Sequence, residues 1–189
     1  LSGTTAFDRA GNNNGTLTNG PRVAIGRIGQ ALNFDGSNDV VTVNSLSSTA
    51  KTYTFSFWVK RENNDTAYIF DSVEGRLVLG FGLNCTANNL CYYDGVWKAL
   101  GIVSASQWHH IALVLDAVKA IGTGYVDGAL LGSAAYTGTN IGGGSTVIGN
   151  HNSVFNDPDS AFQGLLDEFR IYNRALSPDE IKRLYNMGK

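Results

Sequence analysis

The segment Tyr53-Thr-Phe-Ser-Phe-Trp-Val59 alternates with a period of two, so Tyr53, Phe55, Phe57 and Val59 share one face of a strand. Thr54, Ser56 and Trp58 share the other, and the first set is expected in a core. Further apolar runs of strand length cover residues 31–34, 40–43, 53–60, 67–71, 77–81, 90–93, 96–102, 108–116, 121–126 and 146–149. Turn chemistry separates them at Gly11-Asn-Asn-Asn-Gly15, Asp35-Gly-Ser-Asn38, Asp94-Gly95, Asp127-Gly128 and Gly142-Gly-Gly144. Short strands at this spacing predict a sandwich. Residues 110–115 are apolar in both phases, which predicts a central strand either covered on each side or bordering the second layer of the sandwich.

The pattern changes once, near the C-terminus. Residues 165–172 read as a last strand, and Ser177-Pro-Asp-Glu180 then forms a capping box with Pro178 at the first helical position. Ile181, Leu184 and Tyr185 give the short helix one apolar stripe, Leu176 can staple onto Ile181, and Gly188 stops it.

At 189 residues and 43% hydrophobic, the chain can build one two-layer core, read as a single domain over residues 1–189. Glycine at 23 with proline at 3 serves tight turns in an all-β protein. A net charge of −2 without a basic cluster argues against a nucleic-acid partner, and no apolar run is long enough for membrane insertion by this domain. Cys85 and Cys91 enclose five residues, Thr-Ala-Asn-Asn-Leu, and are read as a hairpin disulfide, the alternative being two free thiols. Their spacing favours an oxidising, extracellular or cell-surface setting over a metal site.

The ending 162–185 is similar to the closing signature of laminin-G-like jelly-roll domains in the concanavalin A-like lectin and glucanase superfamily. Gly26-Arg-Ile-Gly-Gln-Ala-Leu-Asn-Phe-Asp-Gly-Ser-Asn-Asp39, Tyr53-Thr-Phe-Ser-Phe-Trp-Val-Lys60, Trp108-His-His-Ile-Ala112 and Tyr125-Val-Asp-Gly128 resemble its other motifs in the expected order. The resemblance implies an all-β fold, a two-sheet antiparallel jelly-roll sandwich with one short C-terminal helix. The family opens with a tryptophan-containing strand ahead of the stretch matching Gly3-Thr-Thr-Ala-Phe-Asp8, so the chain is read as a segment of a longer protein. The resemblance also implies a structural calcium ion between an early turn and the last strand. The matching ligands are Asp35, the Gly36 carbonyl, Asp39 and Asp167, with Asp8 as a weaker candidate. The alternative is that Asp35 and Asp39 bond their own turn and Asp167 pairs with Arg170 or Arg27.

Catalysis is not expected. Laminarinase-type relatives use an E-x-D-x-x-E strand that this chain lacks, its four glutamates Glu62, Glu74, Glu168 and Glu180 are scattered, and no nucleophile elbow is present. Glycan recognition needs aromatic surface beside amides or carboxylates, and two regions offer both. One is Tyr92, Tyr93, Asp94 and Trp97; the other is the loop 150–159, with His151, Asn152, Phe155 and Asp157. The plainer alternative puts those aromatics in the core and the loop in solvent. The expected function is therefore a non-catalytic carbohydrate-binding module of an exported or surface protein. The competing reading is a structural or protein-interaction domain, such as the exposed head of a surface filament subunit, with a surface-protein partner or self-assembly through a larger parent.

Overall fold

The computed structural model describes residues 4–43, 46, 50–72, 77–141, 145–151 and 160–189. In chain order its strands are β1 (Thr5–Ala6), β2 (Gly15–Thr18), β3 (Arg22–Ile25), β4 (Gln30–Asp35), β5 (Val40–Val43), β6 (Tyr53–Arg61), β7 (Ala67–Asp71) and β8 (Val78–Phe81). They continue with β9 (Asn89–Tyr93), β10 (Trp97–Ile102), β11 (His109–Asp116), β12 (Ile121–Val126), β13 (Ala129–Ala135), β14 (Thr146–Ile148) and β15 (Gln163–Tyr172), followed by helix α1 (Pro178–Met187). An eight-stranded sheet runs β1-β2-β5-β14-β7-β8-β9-β10, and a seven-stranded sheet runs β13-β12-β11-β6-β15-β4-β3. All pairings are antiparallel among the described residues.

The two sheets close on one apolar layer. Tyr53, Phe55, Phe57 and Val59 of β6 all point into it, beside Ile111, Leu113 and Leu115 of β11. From the facing sheet come Phe70, Leu79, Phe81, Leu90 and Tyr92. Phe55 meets Phe70 at 4.8 Å between ring centroids, and Phe169 of β15 stacks on Phe57 at 5.4 Å and on Phe70 at 6.3 Å. These rings tie β6 and β15 of one sheet to β7 of the other.

The other phase of β6 and β11 is covered by α1, which explains the doubly apolar run at 110–115. Ala112 and Val114 pack with Leu176, Ile181 and Leu184. Thr54 receives the Leu176 amide on its hydroxyl and donates to the Arg174 carbonyl, so the helix entry is fastened to β6. The capping box forms as expected: Ser177 accepts from the Glu180 amide, and the Glu180 carboxylate accepts from the Ser177 amide. Trp58, His110 and Tyr185 gather at the far end of this interface.

β1, β2, β3 and β13 were not expected from the pattern. β13 reads Ala-Leu-Leu-Gly-Ser-Ala-Ala at a sheet edge, with no buried residue to impose alternation. β2 begins at Gly15 inside a turn-like Asn/Gly run, where a Cβ would collide with Val41. The cysteines form the expected Cys85–Cys91 disulfide, which closes the connection between β8 and β9.

Two outcomes follow for stability. Ser177→Ala is expected to cost about 1 kcal/mol through loss of the cap. Ile181→Ala, at a fully buried position, is expected to cost about 2 to 4 kcal/mol. Urea melts of the two variants check both values. Burial lowers the His110 pKa from 6.5 to about 4, with Arg170 acting in the same direction and Asp127 opposing. The unfolded chain therefore binds a proton near 6.5 that the folded chain refuses until about pH 4. Stability from this group is complete above pH 6.5 and declines as pH falls from there to about 4. His110→Gln should flatten that part of a pH-dependent urea series.

Candidate functional site

β9 alternates between faces. Leu90 and Tyr92 point into the core, so Cys91 and Tyr93 point outward. Tyr92 is fully buried, and its hydroxyl donates to the Ala135 carbonyl at 2.6 Å. The expectation that Tyr92 is part of a ligand platform is corrected here: its ring belongs to the layer between the sheets. Burial also raises its pKa to about 12. Asp94 is likewise buried and structural, accepting from the Thr137 amide and hydroxyl and from Lys98.

Tyr93 and Trp97 are the partly exposed remainder of that hairpin. They face each other in register across β9 and β10, with ring centroids 5.3 Å apart and planes inclined at 51°. Cross-strand aromatic pairs of this kind hold one another in place and leave ring surface toward solvent. The same register row continues through Val78 of β8 to Asp71 of β7 and Val147 of β14. Each strand step is about 4.8 Å, so Asp71 lies about 10 Å from Tyr93 across the face.

The row ends at the start of the second expected region. His151 Nε2 lies 3.7 Å from Asp71 Oδ2, and its ring meets Tyr68 edge-on at 4.8 Å. The outer face of the eight-stranded sheet thus carries the partly exposed Tyr93 and Trp97 on one side and Tyr68 and His151 on the other, with Asp71, Val78 and Val147 buried in the row between them. Tyr68 was missed in the sequence because Phe70, in the same alternating phase, is core; the register shift between Tyr68 and Phe70 is what turns Tyr68 outward. Asn152, Phe155 and Asp157 lie outside the described residues.

The expected calcium ligands do not converge. Asp35 pairs with Gln163 and Leu32 with Leu166, so Asp167 lies four residues, roughly 13 Å, along the strand from the Asp35 end. Asp167 instead organises the turn between β3 and β4. Its Oδ2 accepts from the Ile28 amide at 2.7 Å, and a Cβ on Gly26 would collide with this carboxylate. Burial raises its pKa against the amide bonds that lower it. Arg27 from the same turn lies over Trp58, 5.2 Å from its centroid. At the other end, Asp35 accepts from the Ser37 amide, and Asp39 accepts from the Asp35 amide. Gly36 has φ +80 in that turn. Asp39 Oδ1 is buried without a hydrogen-bond partner among the described residues, but no group of three or more His, Cys, Asp and Glu side chains there could hold a metal. Asp8 accepts from the amides of Ala10 and Asn13 in its own loop. These donor sets do not fit a shared calcium ion.

A family model described as the concanavalin A-like lectin/glucanases superfamily matches residues 35–182. Among solved structures, the chain is similar to domain 4 of AbnA, a GH43 extracellular arabinanase from Geobacillus stearothermophilus, in complex with arabinotriose. That match has 25% identity and a TM-score of 0.72, covering 90% of this chain and 87% of the other. The native heptameric SAP-like pentraxin from Limulus polyphemus shares the fold at 18% identity and a TM-score of 0.62, covering 76% of this chain and 75% of its own. In sequence, the chain is 28% identical over 168 residues to the sushi, von Willebrand factor type A, EGF and pentraxin domain-containing protein 1 of Rattus norvegicus. That match covers 81% of this chain and only 5% of the rat protein.

Because Asp167 is engaged by turn amides and is separated from Asp35, a chelator should leave the thermal midpoint unchanged. Melts in excess calcium and in EDTA check this; a midpoint raised by calcium would show a site bound in the folded state alone.

Proposed function

The chain belongs to the concanavalin A-like lectin/glucanases superfamily, and from that premise we propose that it is a non-catalytic module that binds carbohydrate. The observation that carries this reading is the partly exposed Tyr93–Trp97 pair, held in register by strand pairing. Aromatic faces match the apolar C–H faces of sugar rings, and a pair fixed by strand pairing loses little entropy on binding. Tyr68 and His151, both partly exposed, supply polar and aromatic groups farther along the same face. The arabinotriose complex of the AbnA domain adds support, because that domain is alike over nearly all of both chains.

The reading is non-catalytic because Asp94, beside the rings, is buried and held by Thr137 and Lys98. Asp71 is buried against His151. Among the described residues, neither is placed as one of two carboxylates across a glycosidic bond. An exported setting accords with the Cys85–Cys91 disulfide. No helix among the described residues is long and apolar enough to cross a membrane.

A second reading, a protein-interaction or structural module, draws on exposed apolar side chains near the facing edges of the two sheets. Ile102 of β10 and Leu130 of β13 are each 67% exposed. Leu131 packs on Gly101 where these strands meet.

A glycan array that includes arabino-oligosaccharides separates the readings. Weak but selective binding is expected, as a shallow face buries little ligand area. Trp97→Ala should reduce it by about tenfold or more while leaving the melt intact. Absence of binding to every saccharide, with concentration-dependent self-association abolished by Leu130→Asp, would select the second reading.

A further inference from the structure

The hairpin between β12 and β13 turns through Asp127–Gly128, with Val126 opposite Ala129 and φ values of 51° and 77°. Two positive φ angles are what a two-residue turn of this twist requires. The turn brings Asp127 back over the start of β11. Its Oδ1 accepts from the His110 amide at 2.9 Å, and its Oδ2 lies 2.7 Å from His109 Nδ1. On the other side of the ring, His109 Nε2 lies 2.9 Å from Ser104 Oγ. Ser104 belongs to the connection between β10 and β11, which is tied down by the Val103 amide donating to the Asn88 carbonyl and the Ser106 amide to the Arg61 carbonyl. Gln107 Nε2 donates to Ser104 Oγ at 2.8 Å.

These bonds have a direction. A carboxylate can only accept, so in the neutral imidazole Nδ1 carries the hydrogen toward Asp127 and Nε2 is left with a lone pair. The Gln107 amide nitrogen can only donate, so Ser104 Oγ accepts there and aims its own hydrogen at His109 Nε2. Nucleophile, base and orienting carboxylate are thereby in hydrogen-bond reach of one another in the order that activates a hydroxyl. The His109 side chain is only 12% exposed, whereas Ser104 is exposed and open to a reagent. Apolar surface lies beside it. A Cβ on Gly101 would sit 2.8 Å from the Leu131 side chain, and one on Gly132 would sit 1.9 Å from the Leu100 carbonyl oxygen, so the next step places Ile102 level with Leu130. Both are largely exposed, and the two residues from Ile102 to Ser104 span at most about 7 Å.

We propose that Ser104 is a covalent acyl-acceptor site, which takes the acyl group of an activated medium-chain fatty ester. Ser104 Oγ forms a bond to the acyl carbon, the bond from that carbon to the leaving alcohol oxygen breaks, and the seryl proton passes through His109 Nε2 to that oxygen. The products are the Ser104 ester and the free alcohol. Asp127 is a positioning residue that keeps the imidazole in the tautomer able to accept. The acyl chain lies on Ile102 and Leu130, where its methylenes leave water. The proposal goes beyond the carbohydrate-binding reading and does not rest on it; one acyl transfer to the chain modifies the module without making it a catalyst.

Intact-mass analysis and peptide mapping of the whole chain after incubation with p-nitrophenyl octanoate, and in parallel with p-nitrophenyl acetate, test the proposal. The expected result is an octanoyl adduct on Ser104 that forms at least about tenfold faster than the acetyl adduct. Ser104→Ala should abolish it. His109→Gln should slow it by at least about tenfold through loss of the base. Asp127→Asn should slow it similarly with the melt unchanged, because an amide can still accept from the His110 amide but donates to Nδ1 and so moves the ring hydrogen onto Nε2. Ile102→Ser should bring the octanoyl rate down toward the acetyl rate. If His109→Gln does not fold, Asp127→Asn and Ile102→Ser decide the matter. No adduct on Ser104, or one that forms as fast in folded Asp127→Asn, overturns the proposal and leaves the three side chains as a clasp on the connection between β10 and β11. Equal octanoyl and acetyl rates overturn the medium-chain assignment.

Discussion

The contact on which the rest of the structure depends is the aromatic seam between the sheets, where Phe70 of β7 meets Phe55 of β6 and Phe169 of β15. Each large ring buried there removes apolar area from water, at about 25 cal/mol per Å², and so opposes the loss of chain entropy. Their positions also fix which way each strand faces. With Phe70 and Leu79 turned inward, Asp71 and Val78 must turn outward, and Tyr93 follows them through strand pairing. The candidate binding face is thus a consequence of core phase, set strand by strand.

The seven-stranded sheet solves the opposite problem. Its outer phase is not left to solvent, since α1 covers Ala112 and Val114, and the Gly26–Gly29 turn is drawn down by Asp167. Arg27, Trp58 and Gly188 join that turn to the end of the helix. One sheet therefore carries its C-terminal helix as a structural lid, while the other leaves Tyr93, Trp97 and Tyr68 partly exposed beside a buried stretch at Asp71, Val78 and Val147. The division of labour explains why Trp58 is buried at 2% whereas Trp97 is partly exposed.

Much of this was legible in the sequence because burial writes itself as alternation. β6, β7, β11 and β15, the capping box and the disulfide all lie where residue pattern and local chemistry place them. What could not be read is what register decides. The motif order brings the Asp35 turn and Asp167 onto neighbouring strands, yet only the pairing of Gln163 with Asp35 shows that they sit at opposite ends. Tyr92 and Tyr93 are adjacent aromatics with identical propensity, and the disulfide and core phases of β9 separate one into the interior and the other onto the surface.

Backbone amide shift mapping with an arabino-oligosaccharide tests the central claim most directly, because it locates a ligand on one face without altering any residue. The account predicts that shifts cluster on β9 and β10 around Tyr93 and Trp97 and extend toward Tyr68 and His151, while α1 and the outer side of β11 stay silent. Shifts centred on α1 and the Gly26–Gly29 turn, with Tyr93 and Trp97 unmoved, would contradict it.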